Sequence, residues 1–397
     1  MGKIDWRSRA VALGLGVAAL VLFLPNLARP DRAYFDEVYY TDAARRLAAW
    51  HSLVNIEHPP LAKAIIALGI KLFGDAPFGW RVFSCVAGAV CAVALFAIAR
   101  RILGRDRPAA VATGFALMNF MLFVQSRIAM LDIFMASFLL SGVALLFGAW
   151  RMRRLGTMTL AGALMGAATA CKWSAAPFVA LACLALLATG RRRLAASLTL
   201  GSASLFAYFL TFAPALFVRH DPLTLAGLLP RQLEMYRAQT QVYGVHQYQS
   251  PAWSWPLDLR PIWYLYEPID GVWRAVLLVG NPLVFWPGLA AVIGCLALGL
   301  ARRSAPLLGA AGLWGASYGV LLLIPKKIGF LYYYLLPSLF LGLAIVALAE
   351  AVKRRWVAEA LLAASAACFV YYYPVLTAAP LAGGQAFKRY ALLPSWP

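Results

Sequence analysis

Tyr34-Phe35-Asp36-Glu37-Val38-Tyr39-Tyr40 follows the first long apolar run of the chain, about Ala10 to Leu27, almost at once. The run reads as a membrane span and the stretch as the opening of an outer loop, and that reading sets the architecture of everything after it. Two adjacent carboxylates flanked by four aromatics, just beyond a span, are costly to desolvate and have no evident structural task. Proton abstraction and metal binding both use such acids. About twenty residues later comes His58-Pro59-Pro60-Leu61-Ala62-Lys63. Its two prolines stiffen a turn, and it brings a titratable ring and a cation near the acids. The plain alternative is a polar loop with a Pro-Pro turn.

Composition narrows the class. Of 397 residues, 62% are hydrophobic and 13% charged, which does not fit a water-soluble globular protein. Only helices and closed barrels satisfy their backbone in lipid. The apolar runs lack the period-two alternation of a barrel, so the expected fold is an all-α integral membrane protein. The net charge of +20 does not point to nucleic acid, because the basic residues come as short clusters between apolar runs. Arg100, Arg101, Arg105 and Arg107 form one, Arg151, Arg153 and Arg154 another, with Arg191 to Arg193, Arg302 and Arg303, and Lys353 to Arg355 further on. That is the positive-inside pattern, with anionic membrane lipids as partners. The six cysteines sit in or beside apolar segments without zinc-ligand spacing and read as small core hydrophobes.

The apolar runs predict about eleven spans in a single domain over residues 1–397, with no soluble domain. Span 1 reads as a signal anchor. The first outer loop covers about 28–79, with helical spacing at Thr41 to Trp50 and Leu61 to Phe73. Both segments are too short to cross comfortably and are expected at the interface. Spans 2 to 7 fall near 80–99, 109–124, 133–150, 155–170, 175–189 and 194–218. A long outer loop, about 219–274, precedes spans near 275–300, 305–325, 330–349 and 357–376, with Lys326-Lys327 in a tight outer turn. With this topology the cytoplasmic segments hold 18 of the 36 Lys and Arg but only four of the 16 acids, which supports the orientation.

The remaining unusual polar residues then fall outside. Arg127 and Asp132 share a short turn, either as an interfacial ion pair or as support for a carboxylate and a phosphate. Lys172-Trp173 ends a span, where a snorkelling lysine beside an interfacial tryptophan is ordinary and a lysine facing a lipid-linked phosphate is the functional alternative. His246-Gln247-Tyr248-Gln249-Ser250-Pro251-Ala252-Trp253-Ser254-Trp255-Pro256-Leu257 continues to Arg260-Pro261 and offers an aromatic floor with hydrogen-bonding handles, suited to a sugar, a peptide or the headgroup layer. Gly329-Phe330-Leu331-Tyr332-Tyr333-Tyr334-Leu335-Leu336-Pro337 is a further aromatic run.

These motifs, in order, resemble the protein O-mannosyltransferases, polyprenyl-phosphate-mannose-dependent inverting glycosyltransferases of family 39 and the GT-C fold. The matching elements are Phe35-Asp36-Glu37-Val38 followed by His58-Pro59-Pro60-Leu61-Ala62-Lys63, Arg127 before Leu131-Asp132, Lys172-Trp173, and the His246 to Arg260 segment, which is like the bacterial form. Two departures stand out. Tyr333 occupies a place where many members carry histidine, and the long loop has no room for the β-trefoil module of eukaryotic members.

The resemblance implies transfer of a hexose, mannose foremost, from a polyprenyl-phosphate donor to Ser or Thr of a protein at the extracytoplasmic face of the bacterial inner membrane. Asp36 is implied as base with Glu37 beside it as the catalytic pair. Arg127 and Lys172, with His58, Lys63 and Asp132, are expected at the donor phosphate and sugar. His246, Tyr248, Ser250, Trp253, Trp255 and Arg260 are expected at the acceptor or sugar. No cofactor is firmly implied; a divalent cation at Asp36-Glu37 is the alternative, since related membrane glycosyltransferases use one. The competing readings are transfer to a lipid acceptor, as in the lipid A aminoarabinose transferases, and a transporter or flippase. The scarcity of mid-span charge argues against the last.

Overall fold

The computed structural model describes residues 6–150, 154–189, 192–241, 244, 246–324 and 328–396. Arg151, Arg153, Arg191 and the Lys326-Lys327 turn lie outside the described residues. In chain order the helices are α1 (Trp6–Phe23), α2 (Glu37–Ala48), α3 (Leu61–Phe73), α4 (Pro77–Leu103), α5 (Asp106–Leu117), α6 (Phe120–Gln125), α7 (Leu131–Ala149), α8 (Leu155–Cys171), α9 (Ala176–Ala188), α10 (Arg193–Leu210) and α11 (Leu228–Gln239). After a hairpin of β1 (Ile262–Ile269) and β2 (Val272–Leu278) come α12 (Pro282–Arg302), α13 (Ala305–Leu323), α14 (Leu335–Ser338), α15 (Leu341–Ala351) and α16 (Arg355–Leu376).

Among the described residues, eight helical segments are long and apolar enough to cross a bilayer. The other three predicted spans are shorter helices. The run at 155–170 is α8 and that at 175–189 is α9. The run at 109–124 is α5 and α6, broken at Met118-Asn119. Asn119 explains the break: its Oδ1 accepts from the Met121 amide at 2.9 Å, starting α6, and its Nδ2 donates to Ser338 Oγ at 2.9 Å. Both predicted interfacial helices of the first loop are present as α2 and α3.

The chain forms two compact units. One holds residues up to 30, 95–125 and 243–397; the other holds 31–94 and 126–242. The second unit is built on close helix packing. A Cβ on Gly162 would lie 2.3 Å from Leu200 O, and one on Gly166 would lie 2.1 Å from Ser204 O. The small-xxx-small pair on α8 thus lets the backbone of α10 approach where no side chain fits.

The first unit contains the two strands, a departure from the all-helical expectation. β1 and β2 pair antiparallel with Ile269 opposite Val272. Asp270 and Gly271 between them both have positive φ, 52° and 76°. That is the Asp-Gly two-residue turn whose twist suits a hairpin. Residues 275–278, predicted to open a span, therefore belong to β2, and the helix begins at Pro282. Asn281 caps it by accepting from the Leu283 amide at 3.1 Å.

Candidate active site

In the second unit the two adjacent acids take opposite environments. Asp36 stands one residue before α2, and Glu37 is its first residue. Glu37 is fully buried. Its Oε1 accepts from Arg81 Nε at 2.9 Å and from the Ala129 amide at 2.9 Å, and its Oε2 accepts from Arg81 Nη2 at 2.8 Å. Arg81 is fully buried too, also donates to Arg32 O at 2.8 Å, and lies 5.1 Å from the centre of the Tyr34 ring. A fork-shaped guanidinium with its donors satisfied in this way tolerates burial where a lone charge would not. Glu37, expected beside Asp36 as part of the catalytic pair, ties the start of α2 to α4 and to the turn before α7.

Asp36 is only partly covered, and its carboxylate makes no hydrogen bond or ion pair with any described residue. Burial pushes its pKa up to about 6; nearby Lys172 lowers it and Asp132 raises it. Lys172 and Asp132 form a buried pair, with Lys172 Nζ 2.8 Å from both Oδ1 and Oδ2. One of the two readings of that turn pairs Asp132 with Arg127; the structure bonds Asp132 to Lys172. Arg127 is buried in the same turn, near enough to Tyr34 and Cys85 to act on both electrostatically. Trp173, next to Lys172, donates from Nε1 to Tyr208 Oη at 2.9 Å.

Lys63 is set apart from this group. It is fully buried and donates to three carbonyls, Val54 O at 3.3 Å, Asn55 O at 2.6 Å and His58 O at 2.8 Å. It clamps the loop that carries His58, whose ring packs 6.2 Å from that of Tyr40. Binding a phosphate through Lys63 would require breaking that clamp. At the acids themselves, the carboxylate of Glu37 is engaged by Arg81 and that of Asp132 by Lys172.

The aromatic loop belongs to the first unit. His246 lies 5.1 Å from Phe330, ring centre to ring centre, and accepts through Nδ1 from the Tyr248 amide at 3.2 Å. Ser250 donates from its amide to Gly329 O at 2.8 Å, and its Oγ accepts from Trp255 Nε1 at 3.0 Å. Trp255 packs 5.8 Å from Tyr333, and Phe330 stacks on Tyr332 at 5.4 Å with planes 8° apart. Two motifs some eighty residues apart in sequence thus make one aromatic surface. Gly329 is needed at its centre, since a Cβ there would lie 2.8 Å from Ser250 O. Trp253 is exposed, and Arg260 donates to Gln247 O at 2.6 Å. Ser250 and Trp255 are buried, so they hold the loop together rather than face solvent.

Arg81 is the site residue that sequence reasoning missed. It was absorbed into a predicted span near 80–99 as a boundary residue. The available signal was a lone arginine followed by some eighteen uncharged residues, since charge inside a span faces a partner.

Residues 57–217 match the family described as dolichyl-phosphate-mannose-protein mannosyltransferase, and residues 224–396 match the C-terminal four-transmembrane region of protein-O-mannosyltransferase. A Mycobacterium tuberculosis protein named polyprenol-phosphate-mannose--protein mannosyltransferase is 27% identical over 353 residues, 68% of this chain and 67% of that one. The Mycolicibacterium smegmatis protein of the same name is 27% identical over 365 residues, 71% of this chain and 69% of its own. In fold, the chain is similar to the Saccharomyces cerevisiae Pmt1-Pmt2 protein O-mannosyltransferase complex bound to the sugar donor. That match has a TM-score of 0.82 at 14% identity and covers 100% of this chain and 93% of the other. It is less similar to ArnT from Cupriavidus metallidurans bound to undecaprenyl phosphate, with a TM-score of 0.58 at 19% identity, covering 94% and 66%. With both halves matched in order on a multi-pass helical scaffold of GT-C type, the chain belongs to the protein O-mannosyltransferase family of membrane glycosyltransferases.

Proposed function

We propose that the protein moves mannose from a polyprenyl-phosphate donor to a Ser or Thr hydroxyl of a protein, with inversion, at the extracytoplasmic face of the cytoplasmic membrane. The observation that carries this is the environment of Asp36: a partly open carboxylate with no side-chain hydrogen-bond partner among the described residues, its pKa pushed up to about 6 by burial, close to the buried Lys172. A general base works best when its pKa lies close to the working pH.

The acceptor oxygen attacks the anomeric carbon on the face opposite the phosphate. Its proton passes to the Asp36 carboxylate while the bond from the anomeric carbon to the phosphate oxygen breaks. Polyprenyl phosphate leaves with the negative charge. Arg127 and Lys172 supply positive potential for that charge, and Asp132 holds Lys172 in place. Glu37 and Arg81 fix the backbone that presents Asp36. Mannose and a protein acceptor follow the names of the mycobacterial relatives. The aromatic surface around His246, Tyr248 and Phe330 suits an acceptor or a sugar. The outward orientation rests on the asymmetry of Lys and Arg between loops.

The test is transfer of label from radioactive polyprenyl-phosphate-mannose in membranes, comparing the native protein with Asp36→Asn. Label in protein that disappears in the variant is the expected result. Label in lipid alone would move the acceptor to the lipid class. Transfer that is unchanged in Asp36→Asn would overturn the assignment of the base.

A further inference from the structure

The helix α11 lies outside the segments that can cross a membrane, yet it exposes large apolar side chains. At 100° per residue its surface divides into three faces. Leu228, Gln232, Met235 and Gln239 point inward. Met235 and Leu228 pack on Tyr208, Phe212 and Ala215 at the end of α10. Glu234 and Arg237 form a charged edge, with Arg231 bonded to Glu234 at 3.0 Å. Between these faces runs a stripe of Leu229, Leu233 and Tyr236, preceded by Leu225, and these four are 50–74% exposed. Water is a poor neighbour for such a stripe. Fully burying a leucine gains roughly 1.5–3 kcal/mol.

The occupant is indicated by the helix at whose end α11 packs. The outer surface of α10, itself long and apolar enough to span, exposes Leu205, Phe206 and Leu210, and Phe217 follows at 72% exposure. In a multi-pass membrane protein that surface faces lipid. From these two exposed apolar faces, on helices packed at one end, we infer that α11 lies in the plane of the lipid interface, with Leu225, Leu229, Leu233 and Tyr236 bedded among the acyl chains below the headgroups. A helix with an apolar stripe beside a charged edge is the form that such a position selects.

The placement reaches the active site. Gln232 accepts from Tyr208 Oη, which in turn accepts from Trp173 Nε1, and Trp173 adjoins Lys172. Lipid under α11 would therefore press this relay, and with it the Lys172 loop, into position.

The test uses a nitroxide attached at Leu229→Cys, and separately at Leu233→Cys, in the full chain in phospholipid nanodiscs. Cys183 and Cys368, the native thiols that are not buried, are replaced by alanine. Arg237→Cys on the charged edge is the control. The expected result is several-fold greater collision with oxygen than with a water-soluble nickel chelate at 229 and 233, and the reverse at 237. Equal access of the nickel chelate at all three sites would overturn the inference. So would nitroxides at 229 and 233 that are immobile and reached by neither reagent, which would mean that a protein partner or a second copy covers the stripe.

Discussion

Lowering the pH from 7 to 5 should switch the enzyme off nearly tenfold, through Asp36 alone. Its carboxyl has a pKa of about 6 against an ordinary 3.8. At pH 7 about nine molecules in ten then carry the ionised base, and at pH 5 about one in ten. An unshifted aspartate would be more than nine-tenths ionised at both values, so the two cases differ by most of a decade in kcat/KM. Partner variants give the sign. Lys172 lowers this pKa and Asp132 raises it, so Lys172→Met should move the acid limb to higher pH and Asp132→Asn to lower pH. A unit charge at ~8 Å in a surrounding of effective dielectric ~20 is worth about 2 kcal/mol, or about 1.5 pH units, which sets the scale of each move. The assay is initial-rate transfer from labelled polyprenyl-phosphate-mannose, at subsaturating donor, between pH 4.5 and 8. A flat profile over that range in the native protein would refute the reasoning. So would limbs that move the same way in both partner variants.

Other outcomes follow from single contacts. Glu37→Gln or Arg81→Gln leaves one buried charge unpaired and should cost about 3–5 kcal/mol, read as a fall in melting temperature of the purified protein; the double variant should cost less than the two singles together. Gly166→Val puts side-chain atoms where Ser204 O lies 2.1 Å from an added Cβ, and should lower the melting temperature by several degrees or prevent accumulation of folded protein. Asp258 is buried and its carboxyl is pushed well above the ordinary value by that burial, while the Gly280 amide bonded to its Oδ2 at 2.9 Å acts against it. Because its folded pKa is the higher one, the folded state binds the extra proton and stability falls as pH rises from about 4 towards that value. Asp258→Asn should flatten this slope in melts taken across pH 4 to 8.

Much of the fold was legible because membrane burial writes itself into sequence as unbroken apolar runs. Eight of the predicted spans meet a helix long and apolar enough to cross, the other three meet shorter helices, and α2 and α3 appear where the spacing put them. The failures have separate causes. The hairpin was hidden because Ile262 to Arg274 fell in the long outer loop and Ala275 to Leu278 runs straight into the apolar stretch of α12; the Asp270-Gly271 turn was the available signal. The break in the 109–124 run depends on Asn119 finding Ser338, a partner more than two hundred residues away. In the site, residue types were readable and their pairings were not. Asp132 and Lys172 are forty residues apart, and nothing local says that they bond to each other. Lys63 is expected at the donor phosphate from the motif it shares with His58, and nothing in that motif says that its three donors close its own loop.

The adjacent acids make sense once their places on α2 are compared. Successive residues at a helix start diverge by about 100°, so two neighbours cannot face the same way. Glu37 turns inward, where Arg81 from α4 and the Ala129 amide hold it in three hydrogen bonds. Fixing one residue this firmly fixes the backbone of its neighbour, and the Asp36 carboxylate makes no hydrogen bond or ion pair with any described residue. A base that must be both partly desolvated and free of hydrogen bonds cannot hold its own position. The neighbouring glutamate does that for it, and its charge is taken up by Arg81 rather than added to the site. Had both acids faced the substrate, their mutual repulsion would have raised one pKa further and left Arg81 as a buried charge without its carboxylate. With Asp36 as the proposed base, Phe35-Asp36-Glu37-Val38 would encode two functions in consecutive positions, proton transfer and the rigidity that makes it possible.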